Sequence, residues 1–168
     1  MKFEETQRFQ QLWIWIPTAV GGLVPAVLFG AGIYTQLILH HPFGNHPMSD
    51  TGLVIAFSFT LLLFLLLMLL LGSLRLKTVI DETGIRFRFL PFQLKYHSIR
   101  WEEVEKFDVI KYNPVRDYGG WGIRFGKKGR AYNVSGDIGL EVRLKTGRTI
   151  LIGTQKEKEM RAILNGIR

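Results

Sequence analysis

The sequence predicts a membrane helical hairpin followed by an α+β, mostly β domain: a bent antiparallel sheet of about seven strands, capped by a C-terminal helix. Three observations carry this. Between Arg8 and Arg75 the only formal charge is Asp50. Residues 75–168 hold 20 Lys+Arg against 11 Asp+Glu, a net of +9. At Leu74 the apolar period changes from helical to two. With 168 residues, 47% of them hydrophobic, and no Cys, the chain fits neither a disordered nor a disulfide-stapled class. The lack of Cys also excludes thiol catalysis and Cys-ligated metal centres.

Residues 1–11 read as a cytoplasmic N-terminus, and residues 12–39 as a first transmembrane helix. Pro17, Pro25 and several glycines interrupt this helix, which a lipid environment tolerates when neighbouring segments satisfy the freed backbone groups. Gly22, Ala26 and Gly30 recur every four residues and form a small-residue seam for helix packing. The second helix of the same chain or a second copy of the chain is the candidate partner, so a homo-oligomer stays open. Trp13, Trp15 and Tyr34 lie near the ends, where aromatic rings favour the headgroup region. A cleaved signal peptide is the competing reading, but Glu4 and Glu5 dilute its basic start and the apolar run is long for one.

Residues 40–51 form an external loop in which His40, His41 and His46 read as solvated rather than metal-binding. Residues 52–74 form the second helix: 23 residues without a charge, about 34 Å long against a hydrocarbon core of about 30 Å. Lys2 and Arg8 precede the pair and Arg75 and Lys77 follow it, which places both termini in the cytoplasm.

Residues 75–168 form the cytoplasmic domain. Leu74, Leu76 and Thr78 alternate with Arg75 and Lys77; after the turn Asp81–Gly84, so do Ile85, Phe87 and Phe89 with Arg86 and Arg88. Leu94, Tyr96 and Ile99 predict a third strand, and Lys106–Tyr112 a fourth. Asn113–Gly122 is turn-rich. Trp121–Phe125, Ala131–Val134, Leu140–Leu144 and Thr149–Ile152 supply the remaining strands. Thr154 and Glu157 have capping-box spacing, and Met160, Ile163, Leu164 and Ile167 make one apolar helical stripe.

This order resembles the bacterial pleckstrin-homology-like (PH-like) membrane proteins. The resemblance rests on Ile80-Asp81-Glu82-Thr83-Gly84-Ile85, on His97-Ser98-Ile99-Arg100-Trp101-Glu102-Glu103-Val104 and on Gly147-Arg148-Thr149-Ile150-Leu151-Ile152-Gly153-Thr154. More narrowly, Tyr118–Arg124 with Ala131–Gly136 resembles a family of bacterial membrane proteins of unassigned activity. The resemblance implies a PH-like fold and an inner-membrane location, and no reaction, cofactor or binding residue follows from it.

The motifs of chemistry are sparse. The Gly-rich stretch 119–136 lacks both phosphate-loop patterns and reads as turns or as an anion site. Ser135 has no nucleophile elbow, and His97 is the sole cytoplasmic histidine, so an enzyme built on Ser135, His97 and Asp137 is the remote alternative. Glu102, Glu103, Glu105 and Asp108 read as a solvated face. No catalytic residue, metal site or cofactor is predicted. The basic excess is the stronger signal: Arg124, Lys127, Lys128 and Arg130, with Arg116, are the candidate contacts to anionic lipid, and Trp121 and Tyr132 are either aromatic supports or core. The expected partners are membrane lipids, anionic headgroups or another membrane protein that the domain helps assemble. No nucleic-acid motif appears. The function expected is a non-enzymatic interaction or lipid-sensing module.

Overall fold

The computed structural model describes residues 2–126 and 128–167. The chain forms two bodies: one is Gln10–Leu71, and the other joins the N-terminal residues through Phe9 to everything from Gly72 onward.

The first body contains two helices long and apolar enough to cross a membrane. Helix α1 is Leu12–Ile33, prolonged by a π-helical turn over Tyr34–Ile38, and α2 is Asp50–Ser73. Beside Pro17, the Thr18 hydroxyl donates to the Ile14 carbonyl at 2.6 Å. Only Gly22 and Gly32 of α1 and Leu53 of α2 are buried. An apolar helix left uncovered on nearly all sides is unsuited to water. A Cβ on Gly22 would strike the Phe64 ring, and one on Gly30 would sit 3.7 Å from Phe57. These contacts run in opposite order along the two helices, so α1 and α2 pack antiparallel. The small-residue seam thus receives phenylalanine rings of its own chain, and Ala26 between them is half-buried. In the connector, Gln36 Nε2 donates to Asp50 Oδ1 at 2.6 Å and to the Met48 carbonyl at 2.7 Å.

The second body is sheet-rich. Its strands are β1 (Phe3–Arg8), β2 (Arg75–Asp81), β3 (Gly84–Leu90), β4 (His97–Arg100), β5 (Val104–Lys111), β6 (Gly122–Gly126), β7 (Gly129–Asn133), β8 (Ile138–Leu144) and β9 (Thr149–Gly153). They build a four-stranded sheet in the order β1-β2-β3-β4 and a five-stranded sheet in the order β5-β8-β9-β7-β6.

The expected single bent sheet of about seven antiparallel strands is thus two sheets, and it differs in three further ways. First, residues ahead of α1 add β1, antiparallel to β2, with Phe3 opposite Ile80 and Arg8 opposite Arg75. Second, β7 and β9 are parallel. The chain leaves β7, skips one position and runs up β8, and β9 then fills the gap antiparallel to β8. Third, the strand expected from Leu94 shrinks to His97–Arg100, with Leu94 and Tyr96 exposed in the connection. Pro91 has no N–H for a ladder, and the chain turns through it, with the Gln93 N–H donating to the Phe89 carbonyl at 2.8 Å.

Period two explains the core. Leu76, Thr78, Ile80, Ile85, Phe87 and Phe89 form the buried face of the first sheet, and Leu140, Val142, Leu151 and Ile152 are buried in the second. The stretch 113–122 holds a short helix, α3 (Pro114–Tyr118). Asn113 Oδ1 accepts the Arg116 N–H at 2.9 Å, Pro114 occupies the first turn, and Gly119 ends it at φ +74. Helix α4 is Glu157–Ile167, with Met160 and Leu164 buried as the stripe predicts. The predicted capping box does not form. The Thr154 hydroxyl accepts the Lys156 N–H at 3.0 Å and donates to Glu5 Oε2 at 2.7 Å, while Glu157 pairs with Arg161 at 2.9 Å. The hydroxyl oxygen thus serves the Lys156 N–H instead of Glu157, and its proton goes to Glu5, brought in by β1.

Candidate functional site

A cleft of about 830 Å³ opens in the second body. Its walls come from β3 and β4 of one sheet and from the β6–β7 and β8–β9 hairpins of the other. The floor is aromatic. Phe87 and His97 are opposite each other in the β3–β4 ladder, and their rings stack with centroids 5.5 Å apart. The buried Tyr132 ring lies 4.7 Å from Phe87 and 6.3 Å from His97.

The rim is charged: Lys128, Arg130, Arg143 and Arg148 line it beside Glu103 and Glu141, with Asp117 and Glu105 close to Lys128 and Arg143 from outside the lining. Arg130 stands over the Phe125 ring at 4.7 Å, although Phe125 itself is 72% exposed. A guanidinium stacked this way is held in place while its N–H edge stays available to an anion. Arg143 Nε is 3.4 Å from Glu105 Oε2 at the surface, a pairing too solvated to neutralise it. The hydroxyls of Ser98 and Thr149 also line the cleft.

Gly129 fixes the geometry of one wall. Its φ is +121, and a Cβ there would run into the Thr149 carbonyl, so only glycine lets β7 close on β9 at this point. Gly126 faces Gly129 across the ladder, and Lys128 lies in the turn before Gly129.

Among the residues singled out from sequence, the cleft gathers Lys128, Arg130 and Tyr132. Lys127 lies outside the described residues. Arg116, Arg124 and Trp121 do not line the cleft. Arg116 Nε lies 3.8 Å from Asp117, Arg124 Nε donates to the Trp121 carbonyl at 2.9 Å, and the Trp121 indole N–H donates to the Gly136 carbonyl at 3.1 Å. These three brace the turns around α3 and β6. Asp117 also draws Lys128 to 3.6 Å. The Asn113 backbone N–H, then Lys128 and Arg116, hold the Asp117 carboxyl below the usual carboxylate range.

His97, Arg143 and Arg148 are the residues that sequence reading did not place together. They come from three separate stretches, and strand order alone makes them neighbours. The Ser135, His97 and Asp137 alternative is dispersed: Ser135 accepts a hydrogen bond from Gln155, Asp137 pairs with Lys111 at 3.2 Å, and only His97 lines the cleft.

Behind the second sheet, Tyr112, Tyr118, Ala131 and Leu151 form a small core under α3. Burial pushes the Tyr112 hydroxyl up to about 12, against the opposing pull of Asn133 Nδ2, which donates to it at 2.9 Å. Burial also raises Tyr118.

The cleft offers cations, hydroxyls and the exposed His97 ring backed by buried Phe87 and Tyr132, a set that suits an anion. No protein-family model matches the chain, and no curated protein matches it significantly.

Proposed function

We propose that this chain is an integral membrane protein in which two transmembrane helices anchor a non-enzymatic, PH-like binding domain, and that the cleft takes an anionic, phosphate-bearing group. The observation that carries the reading is the cationic rim over the Phe87, His97 and Tyr132 floor, on a domain joined at two points to apolar helices. The phosphate source is a lipid headgroup or a soluble phosphate; the rim recognises what they share.

Strand pairing supports the membrane topology independently of charge counts. Arg8, four residues before α1, pairs with Arg75, two residues after α2. Paired strands lie about 5 Å apart, so both sit on one side of any bilayer, and the intervening chain crosses an even number of times. Lys2, Arg8, Arg75 and Lys77 then favour the cytoplasmic side of a bacterial inner membrane.

The test uses the full chain in nanodiscs of phosphatidylcholine alone, or of equal parts phosphatidylcholine and phosphatidylglycerol, read through the His97 ring signals by NMR. A shift in the anionic discs marks a headgroup ligand. A shift on adding inorganic phosphate or glycerol phosphate to neutral discs marks a soluble one. Losing one charge-assisted contact to the ligand weakens binding about tenfold, so R130A/R148A flattens either titration. A His97 signal that responds to none of these additions overturns the cleft as an anion site.

A further inference from the structure

The connection between β3 and β4 is not needed for the cleft, and its chemistry is unusual for a surface loop. Over residues 91–96 it presents Phe92, Leu94 and Tyr96, which are 64%, 74% and 40% exposed. The loop is held in shape. The Gln93 side chain accepts the Phe89 N–H at 3.3 Å, Arg88 donates to the Leu94 carbonyl at 3.2 Å, and the Arg88 guanidinium stands 4.5 Å over the Tyr96 ring. Its apolar side chains are therefore displayed by a fixed turn.

Position in the ladder gives the display a partner. Leu90, where the loop departs, is opposite Arg75, and Arg75 is opposite Arg8. The loop leaves the sheet at the end where β1 hands over to α1 and where α2 hands over to β2. Cations gather at that same end: Arg8, Arg75, Lys77 and Arg88 fall on one face by register, and Lys95 is on the loop itself. Apolar and aromatic tips encircled by Lys and Arg are what an anionic lipid interface selects.

We infer that the 91–96 loop inserts Phe92 and Leu94 into the headgroup–acyl boundary of the anionic leaflet, as a third membrane contact beside the two helices. Arg88 and Lys95 meet lipid phosphates, and Tyr96 sits at the headgroup level. The contact gives the domain a third point of attachment, which sets its tilt on the bilayer. This inference rests on the membrane reading of α1 and α2 and is independent of what the cleft binds.

The chain has no Cys, so single labelling sites are clean. Spin labels are placed at L94C, at E82C in the turn at the other end of the β2–β3 hairpin, and at L66C on α2. Each full chain is reconstituted in nanodiscs of equal parts phosphatidylcholine and phosphatidylglycerol, and collisions with oxygen are compared with collisions with an aqueous nickel complex. The expected result is an oxygen-to-nickel ratio at Leu94 several-fold above that at Glu82 and nearer that at Leu66. Leu94 matching Glu82 while Leu66 reads as lipid overturns the insertion alone. Leu66 reading as water overturns the membrane topology and the insertion with it. Shielding of Leu94 from both reagents, the mark of burial in protein, overturns insertion in favour of a protein partner. A label at F92C in an L94D background supplies a second measurement: nickel access rises if the loop inserts and stays constant if it does not.

Discussion

Glu5 should be among the most costly surface-derived residues to lose from the β1–α4 junction. It is 5% exposed, and its carboxylate accepts the Thr154 hydroxyl at 2.7 Å and the Gln155 backbone N–H at 2.8 Å. Two positions on, Gln7 Nε2 donates to the Gly153 carbonyl at 2.6 Å. Hydrogen bonds to a charged acceptor are worth about 1.5–3 kcal/mol each, and an orphaned buried N–H adds its own penalty. Thr154 keeps its bond from Lys156, which limits the loss, so Glu5→Ala should cost about 2–4 kcal/mol. If that energy governs local opening, amides of 155–160 and of β2 should exchange roughly 30- to 1,000-fold faster. Hydrogen exchange by mass spectrometry on the full chain in micelles reads this directly. Glu5→Gln retains one acceptor and should fall between the two. Exchange in Glu5→Ala indistinguishable from the unmodified chain over 155–160 would show that β1 does not hold the start of α4.

Two further predictions concern packing and ionisation. Gly22→Ala places a methyl inside the Phe64 ring, whereas Gly30→Ala meets Phe57 at an ordinary 3.7 Å; thermal unfolding in detergent should show a loss of about 1–3 kcal/mol for the first and within about 0.5 for the second. Equal effects would refute the asymmetry, and Phe64→Ala should partly restore Gly22→Ala. Tyr112 ionises from 10.0 when unfolded and about 12 when folded, so its contribution is intact below pH 10 and is lost as pH rises through about 12. Phenolate absorbance should show a late step that Tyr112→Phe removes, and a single step for every tyrosine near the ordinary value would contradict the burial.

Legibility followed locality. The two apolar helices were readable because an uncharged run of that length has few alternatives, and the β2–β3 and β8–β9 hairpins because alternation and turn residues occur together. Strand β1 was hidden because two of its inward positions are Glu5 and Gln7, polar residues that make sense only beside Gly153, Thr154 and Gln155, nearly the whole chain away. Leu94 and Tyr96 misled for the converse reason: they alternate like strand residues, yet Pro91 and the Gln93 turn keep them out of the ladder. The short helix α3 carries its full signature in Asn113, Pro114 and Gly119, but so few residues separate cap from cap that the stretch reads as turns. In the cleft, Lys128, Arg130 and Tyr132 are near in sequence and were found. His97, Arg143 and Arg148 meet them only through the strand order, and the parallel β7–β9 pair that brings β9 alongside is a long-range choice no local pattern encodes.

The placement of Glu5 and Gln7 bears on how the cleft and the loop can work together. Strand β1 belongs to the first sheet by its ladder with β2, but its inward side chains are bonded to Gly153, Thr154 and Gln155, at the end of β9 and the entry to α4. One strand therefore stitches both sheets. The cleft is walled by both sheets, and the apolar loop departs from the first. A tilt imposed at the loop must turn the cleft with it, because the bonds that keep one sheet from sliding on the other are charge-assisted or buried. The Glu5 variant separates these roles: once β1 is loosened, the loop can keep its place in lipid while the cleft loses its fixed orientation. Spin-label depth at Leu94 should then stay constant as His97 responds more weakly to anionic lipid. If both signals decline together, β1 holds the whole domain rather than the joint between its sheets.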